Sequence, residues 1–230
     1  MSTVSAPRLV KRMLALPFEP GERMGQAEFH RRYEAYHGDI KFELVGGFVH
    51  MSSPLRIQHS DYDDELGFIF GLYRRRTPGI GVLHNATTIL GDESEPQPDL
   101  GLRILDGYGG LSTVNSKNYI VGPPELLAEI AWSTRSIDLH LKRVDYRFAG
   151  VQEYLVLCVE EQELHWFDFK SRRPIRPTAQ GVYRSRVFPG LWIDGPALLG
   201  LKSQQVEKVA REGLASKEHA AFVKALQGGN

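Results

Sequence analysis

The stretch "ELLAEIAWSTRSIDLHLKRVDYRFAGVQEYLVLCVE", residues 125–160, predicts a strand, a helix and a second strand in succession. Residues 125–132 are nearly all apolar, which is typical of a central strand covered on both faces. Residues 136–150 have a helical pattern, and residues 153–160 return to a continuous apolar run. We expect this stretch to form the middle of a sheet that is packed on both sides.

The predicted helix has recognisable ends. Ser136 is a plausible N-cap, and Gly150 is the residue type that usually stops a helix at the C′ position. The helical spacing of the larger apolar side chains predicts a core-facing stripe made of Ile137, Leu141, Val144 and Phe148.

Outward from this stretch, helices and strands alternate without any repeat. Helices are expected over 24–38, 56–77 and 203–226, a hairpin over 40–52 around Gly46-Gly47, and strands over 81–90, 99–105, 163–169, 174–177 and 183–188. Residues 106–124 are aperiodic and predict a loop. The order of elements indicates an α/β or α+β single domain with a mixed sheet.

Bulk properties are those of a globular protein. The 230 residues include 42% apolar and 24% charged residues, and the formal net charge is zero, which counts mildly against a non-specific DNA-wrapping protein. The lone Cys158 excludes an internal disulfide and lies in an apolar run, where a buried side chain is expected. Neither a signal peptide nor a membrane-spanning run is present, so a cytoplasmic location is predicted.

Three charged residues stand beside predicted strands. Glu129 lies within an apolar strand, where a carboxylate is costly to bury without a cation or donor. Each of the three also has a purely structural interpretation. Glu129 would be a residue at the exit of a strand, and Asp99 would be a turn residue. Lys142 would form an ordinary helical ion pair with Asp138 at i−4. Two carboxylates from neighbouring strands would form an oxygen site suited to Mg²⁺, so both interpretations stay open.

The order Asp, Glu, Lys resembles the PD-(D/E)XK nuclease superfamily, and within it the Uma-two family. The segments that carry the resemblance are "FELVGGFV", His59, "QPDLGL", "AEIAWST" and "DLHLKRVDYRFAGVQEYLV", together covering roughly residues 26 to 190. The resemblance implies a restriction-endonuclease-like core with flanking helices and an added hairpin region. Residues 1–22 would form an N-terminal arm, residues 23–200 the domain and residues 201–230 a C-terminal helix.

The same resemblance assigns roles to four residues. Asp99 and Glu129 match the acidic metal ligands, and Glu43 matches a further acidic position of the site. Lys142 matches a lysine that has moved from the strand to the helix, because Ala131 stands where the standard motif has its lysine. Catalysis would then depend on Asp99, Glu129, Lys142 and Glu43.

Four further residues are secondary candidates. His59 matches a histidine at a helix start, and Gln97 matches the glutamine before the Pro-Asp pair. Asp138 and Tyr146 lie at i−4 and i+4 from Lys142, so one helical face would carry all three. A structural histidine, an ion pair and a half-buried ring are the alternatives.

The implied activity is Mg²⁺- or Mn²⁺-assisted hydrolysis of DNA. The predicted nucleic-acid contacts are the basic side chains Arg74, Arg75, Arg76, Arg172 and Arg173, although such runs are more often solvated faces. A non-catalytic nucleic-acid-binding or assembly module is the alternative, and a homodimer or higher homo-oligomer is also expected. Trp132 departs from the family pattern, which has a small Ser-Pro pair there, and the loop after Leu105 is longer, so access to the site is expected to differ.

Overall fold

The computed structural model of the protein describes residues 17–52 and 57–228. Most of the predicted N-terminal arm, residues 1–22, therefore lies outside the described residues. Within its described part, Phe18 is buried and stacks on Phe29 with ring centroids 4.8 Å apart. This end of the arm is part of an apolar core.

The elements are short strands and mostly short helices. The strands are β1 (Phe42–Val45), β2 (Phe48–Met51), β3 (Ile80–His84), β4 (Thr88–Ile89), β5 (Leu100–Ile104), β6 (Thr113–Val114), β7 (Ile120–Val121), β8 (Leu126–Ala131), β9 (Glu153–Cys158), β10 (Glu163–Asp168), β11 (Arg173–Pro174), β12 (Val182–Arg184) and β13 (Trp192–Asp194). The helices are α1 (Gln26–Glu34), α2 (Ile57–Arg76), α3 (Arg143–Ala149), α4 (Gly195–Leu199), α5 (Ser203–Leu214) and α6 (Lys217–Gly228). A π-helical segment, Ile137–Lys142, leads directly into α3.

The central sheet has six strands in the order β11-β10-β9-β8-β5-β3. Strands β8 and β9 are parallel, and the other neighbours are antiparallel. The π-helical segment and α3 form the crossover that parallel neighbours require. The mixed sheet and the α/β class are confirmed.

Strand β8 is fully buried because both of its faces are covered. Leu126, Ala128 and Ile130 belong to the large core that includes α2 and the C-terminal helices. Leu127 and Ala131 belong to the core on the opposite face, which also contains Tyr146 of α3. Because side chains alternate along a strand, Glu129 is on the α3 face of the sheet.

The helix after β8 buries the face opposite to the one that the sequence predicts. Val144 and Phe148 are 48% and 81% exposed, so the predicted core-facing stripe is wrong. The buried side chains are Asp138, Leu139, Lys142 and Tyr146. The helix turns this partly polar face inward because buried carboxylates on the sheet side need a cation and a hydroxyl donor.

Of the two predicted ends of that helix, the structure has the C-terminal one. Ser136 has helical dihedrals and its side chain makes no capping bond, so the N-cap prediction is wrong. The backbone carbonyl of Thr134 instead accepts the first bonds, from the amides of Ile137 and Asp138. Gly150 has φ +97° and is the predicted stop.

Several predicted boundaries also change. The strand over 81–90 is interrupted at Asn85, whose φ is +46°, and its second half forms β4 in a separate three-stranded sheet with β6 and β7. Those two strands come from the segment predicted to be a loop. The predicted strands over 174–177 and 183–188 are shifted to β11 and β12, and the single C-terminal helix is two helices, α5 and α6.

The N-terminal hairpin β1–β2 is confirmed. Gly46 and Gly47 form its two-residue turn with φ +59° and +81°, values at which glycine avoids the clash of a Cβ atom. The hairpin packs Phe42 and Leu44 into a small core with Phe29 of α1. Glu43, between them in sequence, points the opposite way, and this places its carboxylate in the cleft described next.

Candidate active site

A cleft of about 530 Å³ opens between the hairpin and the ends of β5 and β8. Its lining includes each of the predicted catalytic residues, namely Glu43, Asp99, Glu129 and Lys142. The secondary candidates His59, Gln97 and Asp138 also line it. The chain thus brings together residues that are up to 99 positions apart.

Glu129 and Lys142 meet at the floor of the cleft. Lys142 Nζ lies 3.0 Å from Glu129 Oε1, and the Tyr146 hydroxyl donates to the same oxygen at 2.8 Å. Glu129 is 4% exposed and Lys142 is 6% exposed. The inward face of the helix therefore supplies two donors to one buried carboxylate oxygen.

Glu43 reaches the same ammonium from the hairpin. Its Oε2 lies 3.0 Å from Lys142 Nζ, and its Oε1 accepts from the backbone amide of Gln97 at 2.7 Å. The Gln97 side chain turns away and donates to the Tyr33 hydroxyl at 3.2 Å. Asp138 Oδ1 lies 3.7 Å from Lys142 Nζ, so three carboxylates surround one ammonium.

Asp99 immediately precedes β5, whose first residue Leu100 pairs with Ala128 of β8 in the antiparallel register. Its Oδ2 accepts from the Ile130 amide at 2.7 Å and lies 3.3 Å from His59 Nε2. A strand-end amide and a histidine of α2 thereby fix the orientation of the carboxylate. This explains why an aspartate follows the proline at the entrance to the strand.

Burial and neighbouring charges shift the pKa values of Glu129 and Lys142. Burial raises the pKa of Glu129 well above its ordinary value, opposed by Lys142 and reinforced by Asp99, Asp138 and Glu43. Burial by itself would lower the pKa of Lys142, but the carboxylates of Glu129, Glu43 and Asp138 raise it well above the ordinary value. Lys142 therefore favours its charged form, whereas burial favours the neutral form of Glu129, which a neighbouring cation would ionise.

The residues present fit a divalent cation in their donor chemistry. Among the described residues, Asp99 Oδ1 and Glu129 Oε2 accept no hydrogen bond, and both belong to carboxylates that line the cleft. Mg²⁺ is commonly held by one or two carboxylates, with waters and substrate phosphate completing its shell. No three His, Cys, Asp or Glu side chains of residues 17–52 and 57–228 form a ready-made metal cluster.

The predicted nucleic-acid contacts lie elsewhere. Arg74, Arg75 and Arg76 end α2, about 22 to 26 Å along the helix from His59 at a rise of 1.5 Å per residue. Arg172 and Arg173 follow β10, whose last residue Asp168 pairs with Glu153 at the start of β9. Both groups are therefore at the end of the sheet remote from the cleft.

His50 lines the cleft and was not recognised from the sequence. It pairs with Glu43 across the hairpin, and its Nε2 has no hydrogen-bond partner in the described part of the chain. Burial lowers its pKa. The two-residue turn at Gly46-Gly47 fixes this register, so counting outward from the turn would have identified His50.

The fold belongs to a known class. A crystal structure of "a putative nuclease belonging to DUF820" from Anabaena variabilis ATCC 29413 is similar to this chain, with a TM-score of 0.59 and 13% sequence identity. The match covers 77% of this chain and 98% of that one. At this identity the likeness shows the fold alone, and that fold is restriction-endonuclease-like.

The family follows from the sequence match. Residues 26–196 match the Uma2 family, whose description is "Putative restriction endonuclease". The chain belongs to the Uma2 family, and the resemblance to the Uma-two family is confirmed. No curated protein matches the chain. Among the described residues, no helix is long and apolar enough to cross a membrane.

Proposed function

We propose that the protein is a divalent-metal-dependent endonuclease that hydrolyses phosphodiester bonds of DNA. The observation that carries the proposal is the contact of one ammonium, Lys142 Nζ, with both Glu43 and Glu129 at 3.0 Å, beside Asp99 on the floor of an open cleft. Membership of the Uma2 family supports the same reaction class.

Asp99 and Glu129 would hold the cation, whose charge polarises the scissile phosphate and lowers the pKa of a bound water. The Ile130 amide and His59 orient Asp99, while Tyr146 and Lys142 fix one oxygen of Glu129. Each carboxylate has a second oxygen that would be available to the ion. The sheet and the inward face of the helix would then orient both carboxylates before the ion binds.

Lys142 supplies fixed positive charge at the reacting centre. A preorganised cation stabilises negative charge that develops on the transferring phosphate, and it does so more effectively in a site shielded from water. Glu43, held by the Gln97 amide, keeps the lysine side chain in place. Asp138 adds a second anchor at one helical turn.

The test is nicking of supercoiled plasmid DNA in the presence of Mg²⁺ or Mn²⁺. Glu129→Gln and Lys142→Met are each expected to lower the rate by 100-fold or more, the order of loss that follows removal of one preorganised electrostatic group. Glu160→Gln and Lys170→Met are matched controls, because both side chains are exposed and neither lines the cleft. Wild-type protein that leaves every DNA form intact with either metal would refute the proposal.

A second candidate is a nucleic-acid-binding module without catalysis. The observation in its favour is that Lys142 by itself already bridges Glu43 and Glu129, while the described residues contain no three-ligand metal cluster. This candidate predicts salt-sensitive DNA binding, no cleavage and no effect of Lys142→Ala. Metal-dependent nicking that is lost in Glu129→Gln would exclude it.

A further inference from the structure

Two separate elements meet at the ammonium of Lys142. The crossover helix supplies Lys142 itself, and the hairpin supplies Glu43, whose Oε2 lies 3.0 Å from Lys142 Nζ. The two residues are 99 positions apart, so this distance depends on how the hairpin is held against the helix. In a catalytic site, a misplacement of about 1 Å is enough to lower the rate about 100-fold. The contacts that hold the hairpin against the helix would therefore affect a reaction in the cleft.

Asp145 of α3 lies three residues after Lys142 and faces the turn of the hairpin. Its Oδ2 accepts a hydrogen bond from the hydroxyl of Ser94, a buried residue. Its Oδ1 is 4.0 Å from the point where a Cβ atom of Gly46 would stand. Burial raises the pKa of Asp145, and hydrogen bonds from Ser94 and from the Gly46 backbone oppose this shift. One carboxylate of the helix thus binds both the turn of the hairpin and the loop that contains Ser94.

The loop that follows Ser94 runs beside β1. Backbone hydrogen bonds of 2.8 and 3.2 Å join Glu95 to Leu44 of the hairpin. Further along the loop, the Gln97 amide donates to Glu43 Oε1 at 2.7 Å. The loop is thus bound to the crossover helix at its start and to the Glu43 carboxylate at its end.

We infer that Asp145 is a positioning residue, which sets the contact between Glu43 and Lys142 by binding the hairpin turn and the loop to the crossover helix. The positioning of Glu43 is independent of any activity, whereas its consequence for catalysis rests on the proposed function. Asp145 does not belong to the cleft lining, so it acts through Glu43 and does not touch the substrate. Glu43 in turn holds the lysine whose charge would stabilise the reacting phosphate.

The first test measures hydrogen exchange of backbone amides by NMR in EDTA, so that neither metal nor cleavage contributes. In Asp145→Ala the Gln97 amide is expected to exchange up to about 10-fold faster, the factor that follows from the loss of one hydrogen bond. The Ile130 amide, which donates to Asp99, is the internal control and is expected to keep its rate. Glu43→Ala shows how fast the Gln97 amide exchanges once its acceptor is removed.

The second test is a double-mutant cycle in the plasmid-nicking assay. Asp145→Ala is expected to lower the rate about 10- to 100-fold, as the loss of a residue that orients a catalytic group does. In a Glu43→Ala background the same substitution is expected to change the rate by no more than about 2-fold, because the group that Asp145 positions is absent. A residue that only supports the fold would lower the rate by the same factor in both backgrounds.

Three variants separate positioning from loss of fold. Asp145→Asn is expected to stay within a few-fold of wild type, because its amide nitrogen can donate to Ser94 while its oxygen accepts from Gly46. Ser94→Ala leaves the helix intact and is expected to change exchange and rate in the same direction as Asp145→Ala by a smaller factor, so it carries the test where Asp145→Ala does not fold. Glu212→Ala, at an exposed position of α5 outside the cleft lining, is expected to change neither. Thermal unfolding of each variant verifies that it is folded.

Unchanged exchange of the Gln97 amide in Asp145→Ala and Ser94→Ala would overturn the inference, and so would equal rate losses in the two backgrounds. The outcome for the proposed function is separate. Nicking by the wild-type protein, with unchanged Gln97 exchange in Asp145→Ala, would retain the nuclease and reject the positioning role. A wild-type protein that cleaves no DNA, with faster Gln97 exchange in Asp145→Ala, would reject the nuclease and retain Asp145 as the residue that positions Glu43.

Discussion

At the residue scale, the position of one lysine organises the cleft. Lys142 is on a helix rather than on the strand of Glu129, yet its ammonium lies 3.0 Å from that carboxylate. The first turns of this helix are π-helical, a local form that often marks functional sites. Asp138 and Tyr146, predicted from spacing to share its face, lie on the same buried side.

A second buried residue, His219 of α6, connects the C-terminal helices to α2. Its Nδ1 donates to the Leu214 carbonyl at 2.9 Å, so its Nε2 accepts from the Thr77 hydroxyl at 2.8 Å. Burial lowers the pKa of His219, although its bond to Leu214 opposes this. The folded protein therefore favours the neutral ring more than the unfolded chain does.

This pKa shift gives stability a dependence on pH. In the unfolded chain the ring has a pKa of about 6.5. As the pH falls below this value, the unfolded chain binds the proton first, so the free energy of unfolding decreases until the folded ring also binds a proton. We expect His219→Gln to lose less stability than wild type between pH 7.5 and 5.5 in urea unfolding. His37→Gln, at an exposed site, is the control; an unchanged pH dependence in His219→Gln would contradict the prediction.

At the element scale, the helix after β8 shows a conflict between apolar pattern and buried charge. Its larger apolar side chains recur at helical spacing, and this pattern predicted the wrong buried face. The opposite face carries Lys142 and Tyr146, which satisfy Glu129. Leaving a buried carboxylate without donors costs more than exposing one phenylalanine, so the polar face is turned inward.

This orientation predicts unequal effects of two phenylalanine substitutions. Phe148→Ala is expected to change the free energy of unfolding by no more than about 1 kcal/mol, because the ring is 81% exposed and its partner there is Arg147. Phe70→Ala, in the main core, is expected to cost about 3 to 5 kcal/mol. Urea unfolding of both variants measures the difference, and comparable losses would show that the helix is rotated.

At the scale of the whole molecule, the site joins residues from distant parts of the chain. The hairpin brings Glu43, the sheet brings Asp99 and Glu129, and the crossover helix brings Lys142. A ligand that binds all of these parts is expected to stabilise the entire fold, since binding to the native state alone shifts the unfolding equilibrium. The predicted homo-oligomer and cytoplasmic location stay predictions.

A bound divalent metal ion is expected to raise the thermal stability of the protein. Mg²⁺ or Mn²⁺ at 100 times its dissociation constant is expected to stabilise the protein by about 2.7 kcal/mol. For a chain of this size that corresponds to a rise in Tm of about 5 to 11 °C relative to EDTA. Asp99→Asn and Glu129→Gln are expected to lose the rise, whereas Glu160→Gln keeps it. An equal rise in all four proteins would place the metal outside the cleft.

The sequence by itself determined the elements whose physics is local. The two-glycine turn set the register of the hairpin, and the continuous apolar run of β8 identified the central strand. In α2 the buried side chains include Tyr62, Leu66, Ile69 and Tyr73, which recur at helical spacing in the sequence. The order of Asp99, Glu129 and Lys142 was readable along the chain, but their roles in catalysis stay a proposal.

Only the tertiary structure decided how these residues face one another. It turned the charged side of the crossover helix inward, held Glu43 with the Gln97 amide, and placed the arginine runs at the remote end of the sheet. It also placed Trp132 in the lining of the cleft. The physical reason is that the cost of a buried charge depends on partners brought from distant positions, and no local spacing records where those partners meet.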